Sequence, residues 1–122
     1  MKSMILVFAS LALLASATAA DVTGKWKGSF QGADQTRELT FNLKAEGDKL
    51  TGAVSGLLDK ALDIHEGKVQ GSTITFWVMS EWEGNPVKLV YKGEVAGDEI
   101  NFTMGTDDGS WSTELTAKRV TG

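Results

Sequence analysis

From residue 22 onward, apolar and polar residues alternate one for one. ELTFNLKA sets Leu39, Phe41 and Leu43 against Thr40, Asn42 and Lys44, and EINFTMG sets Ile100, Phe102 and Met104 against Asn101 and Thr103. A period of two places the apolar set on one face of a β-strand. Clusters of Gly, Asp, Asn and Ser interrupt it roughly every ten residues, as turns between strands do. The pattern predicts strands over 22–30, 37–45, 49–55, 61–70, 73–82, 86–96, 98–105 and 111–120. No segment has the i, i+3, i+4 spacing of a helix of any length; GLLDKALDI comes nearest and is read as a short turn. Short strands with tight connections pair each with the next. Without a helix to cover it, one apolar face is hidden by closing the sheet on itself, which also removes exposed edges. The expected fold is all-β: an eight-stranded antiparallel up-and-down β-barrel over residues 21–122.

Repetition within the chain supports hairpins. GKVQGSTITF at 67–76 returns as GEVAGDEINF at 93–102, with LTGAVSG at 50–56 a partial third copy. Gly71 and Gly97 fall where a tight hairpin needs positive φ. Phosphate-cradling glycine loops lead into helices, whereas these lead into strands. Alternate connections of a meander lie at opposite ends. One set, around Gly47, Gly71 and Gly97, is short; the other, QGADQT, GLLDK, EGNP and GTDDGS, is longer. One end is therefore expected to be sealed and the other to be a looped mouth, where pockets in such barrels open.

The first twenty residues read as an address. A lysine, an apolar run from Met4 to Leu14, and small residues before Asp21 form a secretory signal peptide over 1–20, cleaved after Ala19 or Ala20. The apolar run is too short to span a bilayer, which takes about 20 apolar residues. The expectation is a secreted or periplasmic protein with no membrane segment after cleavage.

Composition narrows the chemistry further. The chain has no cysteine and one histidine, His65. Disulfides, thiolate nucleophiles, cysteine metal sites and histidine-rich metal sites are excluded, and no metal or cofactor is expected. Removing Lys2 leaves 11 basic against 16 acidic residues, a net −5. An acidic surface repels phosphate backbones, so no nucleic-acid partner is expected. DDGS at 107–110 lacks the alternating ligand spacing of a calcium loop and reads as a turn. No motif arranges a nucleophile with a base, or two carboxylates at working distance, so no catalytic residue is assigned.

Strand parity puts Trp26 in phase with Phe30, and Arg119 in phase with Leu115 and Ala117. In an up-and-down barrel the first and last strands are antiparallel neighbours, so Trp26 and Arg119 are expected to stack and close the structure. Gly24, Trp26 and Arg119 resemble the closure motif of the lipocalins and the wider calycin group; the helix that follows the lipocalin barrel is lacking here. GDKLTGAV, ITFWVMSEW and GSWSTEL resemble hairpins of the avidin and streptavidin family, also calycins. Where that family has a polar Asn/Ser cluster after the first tryptophan, this chain has KGSF. Val54 and Gly56 stand where its tyrosine and serine are expected. The resemblance therefore implies the barrel and its hairpins rather than biotin binding. The repeated hairpin also resembles small barrel units of secreted bacterial proteins, some appended to carbohydrate-active enzymes.

Inward parity near the mouth selects Phe30, Ser80, Trp82, Leu89, Met104 and Trp111, with Tyr91 deeper. Trp82 and Trp111 are platforms suited to sugar faces or apolar molecules. Rim acids Asp34, Asp59, Glu81, Glu83, Asp107 and Asp108 outnumber Arg37, Lys60 and Lys88. A neutral or cationic ligand is thus favoured over an anionic one. Two readings stay open. In one, the protein carries a small neutral or apolar ligand, or a sugar, at its mouth. In the other, Phe41, Phe76, Phe102 and Tyr91 fill the barrel, and the protein is an interaction or homo-oligomerising module, for example accessory to secreted enzymes. The working surface would then be outside, at the outward pair Trp77 and Met79.

Strand four also has two readings. The repeat alignment points Asp63 and His65 inward, near Tyr91. A bulge near Gly67 would instead turn Leu62 and Ile64 inward and His65 out. The bulge hides more apolar surface and buries no charge, which favours it.

Overall fold

The computed structural model describes residues 21–32 and 35–120; the expected signal peptide and Asp34 lie outside them. The chain forms nine strands: β1 (Gly24–Gln31), β2 (Thr36–Glu46), β3 (Lys49–Ser55), β4 (Leu62–Asp63), β5 (His65–Gln70), β6 (Thr73–Trp82), β7 (Asn85–Ala96), β8 (Glu99–Thr106) and β9 (Ser112–Arg119). β4 and β5 are two pieces of one strand, so the barrel has eight. All pairings are antiparallel between chain neighbours, and β1 pairs with β9 to close the cylinder.

The closure is specific. Trp26 and Arg119 are cross-strand partners, with the guanidinium carbon 4.3 Å from the indole centroid. The indole is fully buried, and its Nε1 donates to the Val22 carbonyl at 2.9 Å. Arg119 spends its donors on the Thr23 and Asp21 carbonyls, at 3.0 and 3.1 Å, and on Asp98 Oδ1 at 3.0 Å. A flat cation on an aromatic face, with its rim hydrogen-bonded, ties the N-terminal lead-in to the last strand.

The repeated hairpins explain the sealed end. Gly47, Gly71 and Gly97 have φ of 66°, 63° and 62°. Each is followed by a residue of ordinary φ and flanked by directly paired residues: Glu46 with Lys49, Gln70 with Thr73, Ala96 with Glu99. Positive φ at the first turn position alone is the type II′ geometry that glycine supplies. The carbonyl after each glycine then accepts an amide from further along the chain: Asp48 from Val69 (2.9 Å), Ser72 from Val95 (2.8 Å) and Asp98 from Arg119 (2.8 Å). The same stitch is thus made three times round the base, twice by the repeated phrase and once around Gly47. LTGAVSG is no further copy: Gly56 leads into the loop 56–61 at the opposite end.

Above the stitches the interior is packed with aromatic rings. Phe41 stacks on Phe102 (4.7 Å between centroids) and Phe76 on Tyr91 (4.8 Å). Tyr91 and Phe102 are edge-on, with centroids 5.9 Å apart. Trp26, Phe41 and Tyr91 are wholly buried. Such burial supplies about 1.5–3 kcal/mol per large apolar side chain.

Candidate functional site

The mouth is built from strand ends and loops. Phe30 ends the inward row of β1, and Trp111 immediately precedes β9; their rings meet edge-on at 6.1 Å. β6 brings Ser80 and Trp82, and β7 brings Val87 and Leu89. These side chains, with Leu57 and Leu58 from the loop 56–61, line an open cleft of ≈ 880 Å³. Ser80 and Leu89 are buried in its floor, whereas Trp82 and Trp111 are 65% and 41% exposed. Tyr91 and Met104 do not line the cleft; both are fully buried in the packed core.

One connection differs from the sequence expectation. EGNP is no long loop: Trp82 pairs directly with Asn85. Glu83 and Gly84 have φ of 54° and 81°, so both turn positions are left-handed, as in type I′. Glu83 hid the turn, because a glutamate seldom marks a left-handed position. β6 and β7 consequently run past their neighbours, and their tip stands above the rim.

The cleft's charges are mixed. Arg37 and Lys88 share the lining with Glu81, Asp107 and Asp108, though the Lys88 ammonium itself lies over Trp77. Asp108 Oδ1 accepts from the Ser110 amide (3.0 Å) and hydroxyl (2.8 Å), closing the DDGS turn on itself. These bonds, the backbone one foremost, hold its carboxyl below the ordinary 3.8. Among the described residues, no group of three or more His, Asp or Glu could hold a metal ion.

Strand four adopts the bulge. His65 pairs with Trp77 and Lys68 with Thr75, so two residues of β5 oppose one of β6. Leu62 and Ile64 are buried, while Asp63 and His65 are exposed. Glu66, inside the bulge, has φ 52°. Its carboxylate accepts from Trp77 Nε1 at 3.0 Å. The His65 ring stacks on Trp77 at 4.3 Å, and Lys88 Nζ lies 4.6 Å from the indole centroid. Trp77 is therefore half-buried and held by three neighbours, while beside it Met79 and Val90 are 42% and 38% exposed.

No protein-family model, curated protein sequence or solved structure matches the chain. Its closed eight-stranded barrel is compatible with a calycin-like fold.

Sequence parity alone does not reach Leu57 and Leu58, whereas Val87 shares the inward parity of Leu89 and could have been added to it. Both lie in GLLDK, whose adjacent apolar pair in a loop was the available signal; a loop that leaves two leucines between turns must cover something.

Proposed function

We propose that the protein is an exported, calycin-type barrel that holds a ligand in its mouth, without enzymatic activity. The observation that carries this reading is the ≈ 880 Å³ cleft, with an aromatic pair on one side and Trp82 on the other. Ligand pockets are typically about 300–1,000 Å³, mostly apolar, with a few polar groups that orient the guest. Here Ser80 and the rim charges would do the orienting, and the surplus of acid disfavours anions.

The test is a titration of tryptophan fluorescence with apolar molecules and soluble sugars. Trp26 is sealed in the base and Trp77 lies on the outer wall, so Trp82→Ala and Trp111→Ala should each remove most of a saturable signal. No saturable change anywhere in the panel would end the carrier reading. Mass measurement of the exported chain should find it starting at residue 20 or 21.

The exposed Met79 and Val90 beside Trp77 support the second reading, a contact between barrels or with an enzyme partner. Sedimentation of the parent and of Trp77→Asp separates the two, since only a contact through this face makes assembly depend on that side chain.

A further inference from the structure

The polar groups around the mouth differ in whether their bonding capacity is already used. Asp108 is spent on its own turn, accepting from the Ser110 amide and hydroxyl. The Thr106 hydroxyl is occupied by Ser110 and Trp111. The Lys88 ammonium lies over Trp77 on the outer wall, and Glu81 shares the outward parity of Trp77 and Met79. Three groups remain for a guest. Ser80 is buried in the floor, and its hydroxyl has no hydrogen-bond partner among the described residues. Arg37 is the cross-strand partner of Phe30, and directly opposed residues share a face, so Arg37 is turned towards the mouth as well. Asp107 stands on the loop after β8 and lines the same cleft. The salt bridges among the described residues involve neither Arg37 nor Asp107.

A hydroxyl, a guanidinium and a carboxylate in one cleft restrict what can fill it. An apolar molecule covering the cleft would leave all three without partners, which is costly for each. A cation would be set against Arg37 and an anion against Asp107. A neutral molecule with many hydroxyls supplies acceptors to Arg37, donors to Asp107 and either to Ser80. Shape adds a second condition. Phe41, Phe76, Tyr91 and Phe102 fill the barrel below Ser80 and Leu89, so no chain can thread down its axis. The guest must lie across the mouth, where the exposed rings of Trp82 and Trp111 offer faces rather than an enclosing pocket. Pyranose rings, with apolar C–H faces and a rim of hydroxyls, suit such platforms. Trp82 belongs to the β6–β7 tip and Trp111 precedes β9, so the platforms are separate. The cleft of ≈ 880 Å³ is near the top of the usual range of about 300–1,000 Å³, room for more than one ring. We propose that the guest is a neutral oligosaccharide lying across the mouth, its rings on Trp82 and Trp111 and its hydroxyls bonded to Ser80, Arg37 and Asp107. The proposal rests on the mouth being the working surface, and narrows its ligand to one class.

The probes are chitotetraose, cellotetraose and mannotetraose, all neutral, against a cationic glucosamine tetramer and an anionic galacturonate tetramer, with decanol and naphthalene as apolar controls. Each is titrated by tryptophan fluorescence at slightly acid pH. At least one neutral tetrasaccharide should saturate, more tightly than its own monosaccharide and than either charged oligomer. Ser80→Ala should weaken that binding roughly 3- to 10-fold, the loss of one neutral hydrogen bond. Arg37→Met should weaken it about tenfold or more, because its donors are charged. An apolar guest would instead gain from both substitutions. Denaturation midpoints show whether each variant is folded. Independently of the variants, saturating the tryptophan ring protons of the parent should transfer magnetisation to the C–H protons of the bound sugar. A bound sugar that receives none, folded variants that bind it like the parent, a tetrasaccharide no tighter than its monosaccharide, or a charged oligomer tighter than every neutral one overturns the assignment. If all the oligosaccharides fail while decanol or naphthalene still saturates Trp82 and Trp111, the oligosaccharide falls and the carrier reading stands. If nothing binds, both fall.

Discussion

The base and the mouth of this barrel are made from the same strands but solve different problems. At the base every strand end is stitched: three identical turns hand a carbonyl to a later strand, and Arg119 ties the chain's two ends together. At the mouth the strands end unevenly, the loops carry Leu57, Leu58 and Trp111, and Trp82 stands mostly in solvent. Closing contacts are thus concentrated at one end, and exposed aromatic and apolar side chains at the other. The division follows from regions with different numbers of buried contacts opening at different free energies.

Substitutions that break the contrast should do so in proportion to burial. Trp26→Ala removes a wholly buried indole, its bond to Val22 and the surface under Arg119. It should cost about 3–5 kcal/mol in chemical denaturation, enough to unfold a marginal domain. Gly93→Ala comes next. A Cβ there would sit 2.7 Å from Ile100 and 2.8 Å from the Phe102 ring, so the aromatic layer must shift. About 1–3 kcal/mol should be lost, read as a lower denaturation midpoint at an unchanged slope.

Tyr91→Phe should act in the other direction. The buried Tyr91 hydroxyl has no hydrogen-bond partner among the described residues, so its removal should stabilise by about 1 kcal/mol. Burial also pushes the phenol well above its ordinary 10.0. The folded chain then keeps a proton that the unfolded chain releases. Stability from the neutral phenol is fully present below pH 10 and falls as pH climbs through and beyond it. Thermal melts between neutral pH and pH 11 should show an alkaline loss in the parent that is smaller in Tyr91→Phe. Smallest of all, Trp82→Ala should change stability by no more than about 0.5 kcal/mol, since the ring is 65% exposed. A large loss there would mean that the mouth is part of the folding core.

The base was far more legible in the sequence than the mouth. Period-two alternation marks Leu39, Phe41 and Leu43 as inward without ambiguity, because a slip by one residue would expose all three. Gly71 and Gly97 stand where a two-residue turn requires them, and parity sets Trp26 against Arg119 on the two closing strands. These rules are local and strict. At the mouth they lapse. Glu83 occupies a left-handed position usually given to asparagine or glycine, so the turn had no marker. Leu57 and Leu58 follow no period, because the loop 56–61 is shaped by what it covers. Strand parity does place Phe30, Ser80, Trp82 and Leu89 in the lining. It cannot say that Tyr91 and Met104, equally inward, lie a layer too deep to meet it.

Two residues of β5 oppose one of β6 at Glu66. Take Glu66 out, and Leu62, Ile64, Gly67 and Val69 fall into one unbroken inward row, with nothing in the way of a straight run alongside β6. One surplus residue is thus enough to end a ladder early, while the backbone beyond it stays alongside β6.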